Sequence, residues 1–157
     1  NAAAALSARD PANRETFQAN AVAYVEALRS LDAWIENSVA AIPQAQRVLV
    51  TDHFVFGYFA RRYGFEIVGA VIPAYSSSAS PSPQDLAVLL AAIEEHGVKA
   101  VFVGLSANAD AAQAVAQDAG IQVVPLYTES LSEAGGPADS YIGMLEYNVN
   151  AIVEALR

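Results

Sequence analysis

Two side chains in this sequence have the type and placement to hold a metal cation. His53 stands two residues past the end of the run 48–51, and an imidazole at a strand end offers a neutral nitrogen, the commonest protein ligand for zinc-like ions. Asp139 stands at the head of the last helical segment, where a carboxylate can cap the helix with one oxygen and coordinate a cation with the other. Each also has a plainer reading, as a turn histidine and as a helix cap. His96, the second histidine, precedes Gly97 at a helix end, where an imidazole complements the helix dipole, so it is read as structural. Ser106 with His53 and Asp139 would supply the residue types of a nucleophilic triad. However, GLSAN at 104–108 lacks the second glycine of a nucleophile elbow, and the chain order His, Ser, Asp is not that of the α/β-hydrolases. With no cysteine, disulfides and thiolate sites are excluded.

The elements that must position these residues are legible from periodicity. Residues 10–42 predict one long amphipathic helix: Asp10 as its cap, Pro11 at its first position, and Phe17, Ala21, Tyr24, Leu28, Leu31 and Ile35 on one face. Pro43 ends it. Short runs rich in Val or Ile then alternate with helical segments, the form of a parallel α/β sheet. The strands are expected at 48–51, 66–71, 100–103 and 122–126, none showing polar alternation, as suits strands covered on both faces. Helices are expected at 54–63, 82–96 and 108–119, each stopped by a glycine (Gly64, Gly97, Gly120), and at 139–157. The expected fold is α/β: a four-stranded parallel sheet with helices on both faces, preceded by the long helix. His53 and Asp139 then fall at the carboxyl edge of the sheet, where such folds bind ligands. The Ser/Pro-rich loop 74–83 (AYSSSASPSP) and the loop 128–138 open on the same edge.

Composition narrows the function classes. With 157 residues, 54% of them hydrophobic and 16% charged, the chain can bury one core. A net charge of −9, with Arg61-Arg62 the only adjacent basic pair, excludes a nucleic-acid partner, whose phosphates require clustered Lys and Arg. Apolar stretches such as 87–93 are too short to span a bilayer. There is no phosphate loop of G-x-x-x-x-G-K-[ST] form, and only Asp52 lies near the first strand end, where a flavodoxin-like regulatory domain would need an acidic cluster.

Two segments carry a family resemblance. TDHFVFGYFARRYG at 51–64 and ADSYIGMLEYN at 138–148 resemble motifs of the second lobe of zinc/manganese solute-binding proteins of bacterial ABC importers, the metal-binding and adhesin lipoproteins. A weaker likeness covers the rest of the chain, including ASPSPQDL at 79–86. The resemblance implies a two-lobed receptor whose lobes are joined by one helix, with residues 1–9 at the end of that helix or a cloning remnant and 10–157 forming the C-terminal lobe. It implies that His53 and Asp139 bind the transported Zn²⁺ or Mn²⁺, and that two further histidines come from the first lobe. It also implies a membrane permease partner, a periplasmic or membrane-anchored extracellular location, and no catalysis. Imidazole at the His53 position, where members carry His or Glu, leans toward zinc. Gly104 departs from the Glu that many members have after the third strand, which leaves the subgroup and the metal open. A receptor for an organic metal chelate, with loop Tyr and Ser residues contacting ligand, is the alternative within the superfamily.

Overall fold

The computed structural model describes residues 2–72, 81–105 and 109–157. Residues 74–80 of the Ser/Pro-rich loop, Ser106, and the expected helix start at 108 lie outside them. The chain forms two compact units, one running through Trp34 and one from Ile35 to Arg157.

The first unit corrects the single helix expected over 10–42. A short helix α1 (Ala2–Arg9) comes first, then one 3₁₀ turn (Pro11–Asn13), then α2 (Arg14–Val39), which reaches into the second unit. Asp10 lies between two helices, with φ −133° and ψ 81°, and makes no side-chain cap to the backbone. Its carboxylate instead accepts from Asn13 Nδ2 at 2.7 Å. The physical reason is Pro11, whose ring clashes with a helical conformation in the residue before it. At the far end α2 stops at Val39, and Pro43 is extended, with φ −54° and ψ 140°.

The second unit alternates strand and helix: β1 (Val48–Thr51), α3 (Gly57–Tyr63), β2 (Glu66–Ala70), α4 (Pro83–His96), β3 (Ala100–Gly104), α5 (Asp110–Ala119), β4 (Gln122–Leu126) and α6 (Tyr141–Leu156). All neighbours pair in parallel, in the order β2-β1-β3-β4. β1 and β4 match the expected strands residue for residue; β2 is one residue shorter and β3 one longer. Pro125, which cannot donate to a ladder, is accommodated because β4 is an edge strand. The three helices expected to stop at glycines do so, with Gly64, Gly97 and Gly120 at φ 73°, 60° and 68°.

Alternation along the strands divides the core. Val48, Val50, Val101 and Val103 pack with Leu89 and Ile93 of α4 and with Val115 of α5 on one face. Leu49, Phe102 and Leu126 are fully buried on the other, where α6 runs along β4 and contributes Ile152 and Leu156. Each such buried side chain contributes roughly 1.5–3 kcal/mol. The chain leaves β1 toward β2 on one side and later returns to β3 on the other. The topological switch point of this sheet therefore lies between the carboxyl ends of β1 and β3, where open α/β sheets form a crevice.

Candidate metal site

At the switch point the sheet does not end with Thr51. Asp52 continues the pairing on both sides, its N–H donating to the Phe102 carbonyl and its carbonyl accepting from Ile72 N–H, each at 2.9 Å. Its side chain is buried and accepts twice: Oδ1 from His53 N–H at 2.8 Å and Oδ2 from Gly104 N–H at 2.9 Å. His53 is thereby held at its N–H. Its carbonyl is held as well, by the Thr51 hydroxyl at 2.7 Å and by Val55 N–H at 2.8 Å. The imidazole is 15% exposed, with Nδ1 3.6 Å from Asp52 Oδ2.

Gly104 is the meeting point of three strand ends. A Cβ there would collide with Thr128 Oγ1, just past β4, and lie 3.3 Å from Asp52 Oδ2. With Asp52 and Thr128 in place, any side chain at 104 would have to displace one of them.

Asp139 departs from the reading of it as a helix cap. Ser140 is the cap of α6, its hydroxyl accepting Gly143 N–H at 3.1 Å, and the helix begins at Tyr141 rather than at 139. Asp139 is exposed, and its Oδ2 accepts Gly135 N–H at 2.9 Å. The loop carrying it is knitted from within: Ser132 N–H donates to the Ala138 carbonyl at 2.9 Å, and Ala138 N–H to Ser132 Oγ at 3.1 Å. At the loop's start, the buried Asn148 of α6 clamps Tyr127, its Oδ1 accepting Tyr127 N–H at 2.9 Å and its Nδ2 donating to Tyr127 O at 2.7 Å.

A cleft of about 360 Å³ runs between these two regions, with Val55, Phe56 and Tyr58 on one bank and Thr128, Tyr141 and Met144 on the other. His53 and Asp139 each stand two residues before one of these lining residues. Neither a hydrogen bond nor an ion pair joins His53 to Asp139. Among the described residues no three His, Cys, Asp or Glu side chains form a group that could hold a metal ion. An imidazole nitrogen and a carboxylate oxygen are a donor pair suited to Zn²⁺ or Mn²⁺.

Asp52 and Asn148 escaped the sequence reading as parts of the site. For Asn148 there was a signal, an amide among the apolar residues of α6, which must find polar partners when buried. Asp52 offered only its position at a strand end.

A doubly wound sheet with a backbone-fixed imidazole at its switch point, next to an open cleft, is the architecture in which α/β lobes bind ligands. The chain belongs to the family described as zinc-uptake complex component A, periplasmic (ZnuA), whose model matches residues 1–155. It is similar to the manganese-binding lipoprotein MntA of Bacillus subtilis (35% identity over 153 residues, 94% of this chain and 49% of that protein). It is also similar to the iron ABC transporter substrate-binding lipoprotein MtsA of Streptococcus pyogenes serotype M1 (31% over 157 residues, 99% of this chain and 50% of that protein). Among solved structures, the periplasmic zinc-binding protein TroA of Treponema pallidum superposes with a TM-score of 0.89 at 30% identity, covering 98% of this chain and 57% of that one. A manganese-bound periplasmic metal-binding protein of Candidatus Liberibacter asiaticus superposes at 0.86 with 27% identity, covering 99% of this chain and 57% of that one. The chain thus spans about half the length of the curated relatives it matches. The family is one of transport solute-binding proteins.

Proposed function

We propose that this chain is one lobe of an extracytoplasmic receptor that captures Zn²⁺ or Mn²⁺ for an ABC importer, with His53 and Asp139 as its metal ligands. The observation that carries the reading is His53, fixed through both backbone groups at the switch point with its imidazole partly exposed. The cleft from Val55 to Tyr141 supports it by linking the neighbourhoods of the two ligands. That relatives are about twice as long supports another lobe, which in this reading precedes the chain and supplies the remaining ligands. In this reading residues 1–9 end the helix linking the lobes, and 10–157 form the second lobe. The relatives named as lipoproteins, one of them the substrate-binding lipoprotein of an iron ABC transporter, support a membrane-anchored location and a permease partner. The metal is cargo, so the residues bind and release it without making or breaking covalent bonds.

A two-ligand site should bind weakly. If a complete zinc site is worth roughly 10–16 kcal/mol and two ligands retain about half, the dissociation constant falls between about 1 μM and 0.1 mM. Isothermal titration of the 157-residue chain with zinc and manganese salts tests this, with His53→Ala and Asp139→Ala expected to abolish the heat of binding. Joining the preceding half in the same chain should tighten binding by several orders of magnitude. Nanomolar zinc binding by this chain, unchanged by His53→Ala, would refute the proposal.

A further inference from the structure

We infer that Asp52 is a positioning residue for His53: its buried carboxylate selects the imidazole tautomer with the proton on Nδ1 and so turns Nε2 into the nitrogen available to a cation. The inference rests on the reading of His53 as a metal ligand and adds the residue that prepares it.

The geometry leaves the carboxylate little choice. Asp52 is 5% exposed and anchored in the sheet through its own N–H and carbonyl. An ionised carboxylate only accepts hydrogen bonds, and here its two oxygens already face the N–H groups of His53 and Gly104. The third polar atom in front of it is His53 Nδ1, 3.6 Å from Oδ2. A bare Nδ1 lone pair there would face a carboxylate oxygen in a site largely closed to water, and the two would repel. An Nδ1–H is attracted instead. The separation exceeds a hydrogen bond, so in the metal-free protein the preference is electrostatic. It strengthens when Nε2 meets a cation, because coordination makes the Nδ1 proton more positive. Carboxylates behind ligating imidazoles act in this way, and their loss costs about 10- to 100-fold in metal affinity.

Asn at 52 keeps the shape but adds a donor. When its single oxygen takes the His53 N–H, its NH₂ stands in the Oδ2 place facing Nδ1, which favours protonation on Nε2 and blocks the nitrogen meant for the cation.

The test is the ring-nitrogen spectrum of His53 in the ¹⁵N-labelled 157-residue chain, recorded without metal at a pH where the imidazole is neutral. Nδ1–H is expected in the parent. A dominant Nε2–H in the parent overturns the inference with no variant needed. Asp52→Asn is expected to shift the population toward Nε2–H and to weaken zinc binding about 10- to 100-fold. A folded Asp52→Asn variant with unchanged tautomer and unchanged zinc affinity would make Asp52 a strand-end anchor only. Since the tautomer is read without metal, an Nε2–H result defeats the positioning role even where zinc binding depends on His53. Zinc binding untouched by His53→Ala defeats the ligand reading itself.

Discussion

The two banks of the cleft are built on opposite plans. On the His53 bank, His53 follows a residue that is still part of the sheet, its N–H held by the Asp52 carboxylate and its carbonyl by Thr51 of β1 and by Val55 N–H. On the Asp139 bank, Asp139 rides a loop whose bonds are mostly internal, from Ser132 to Ala138 and from Gly135 to Asp139. That loop is tied to the fold near its ends, by Asn148 holding Tyr127 and by Ser140 capping α6. His53 can move only by disturbing the end of the sheet, whereas Asp139 is held by one exposed bond, whose opening is a low-cost local event. If the two side chains are the proposed metal ligands, precision falls to one bank and adjustment to the other.

The largest effect that should separate the banks is thermodynamic. Asp52→Ala leaves the part-buried N–H of His53 and the buried N–H of Gly104 without their acceptor, and a buried orphan costs about 1–3 kcal/mol. A loss of roughly 2–4 kcal/mol is expected in urea denaturation. Asp139→Ala removes one exposed bond and should cost no more than about 1 kcal/mol. Equal losses would mean that the loop is as much a part of the cooperative unit as the sheet edge.

A second, smaller effect sharpens the account of how the banks meet. Gly104→Ala places a methyl group against Thr128 Oγ1 and beside Asp52 Oδ2, and overpacking of this kind costs about 1–3 kcal/mol. Thr128→Ala removes the oxygen in the way. The double variant should therefore recover part of the loss, with a coupling of at least about 0.5 kcal/mol in a double-mutant cycle. Strict additivity would show that Gly104 and Thr128 do not share the space assigned to them.

What the sequence made legible follows the same divide between local and long-range causes. Strands 48–51 and 122–126 are marked by their own Val-rich runs, and three helix ends by their own glycines. His53 is marked by following such a run. The break at Asp10 was missed because Asp-Pro is an equally good start for a helix, while the residues before it, AAAALSAR, form a helix of their own. Asp139 and Ser140 are adjacent cap formers, and a single residue of register decides between them: the Ser140 hydroxyl reaches Gly143 N–H. Asp52 was illegible as an anchor because its role depends on Gly104, which the sheet order alone brings beside it.

The smallest expected effect provides a control on the opening comparison, because it lies in a capping box whose bonds stay within residues 82–85. Ser82 Oγ accepts Asp85 N–H at 3.2 Å, while Asp85 Oδ2 accepts the Ser82 hydroxyl at 2.6 Å and its N–H at 3.1 Å. Ser82→Ala should cost about 1 kcal/mol, the usual worth of such a cap. The hydrogen bonds from the Ser82 hydroxyl, and then from its backbone N–H, lower the Asp85 pKa from its ordinary 3.8. The sign of the pH dependence follows. A carboxyl whose pKa is depressed by folding contributes stability that is fully present above its unfolded pKa and is lost as pH falls through its folded one. Asp85→Asn should therefore be less stable than the parent at neutral pH, and the gap should narrow in urea titrations as pH falls below the ordinary carboxylate range. Zinc affinity should be unchanged in both variants, since neither Ser82 nor Asp85 bonds to Asp52, His53 or Asp139. A gap that widens in acid would contradict stabilisation of the ionised Asp85 by the Ser82 donors, and a zinc affinity that follows the Ser82 cap would mean that the start of α4 belongs to the binding edge.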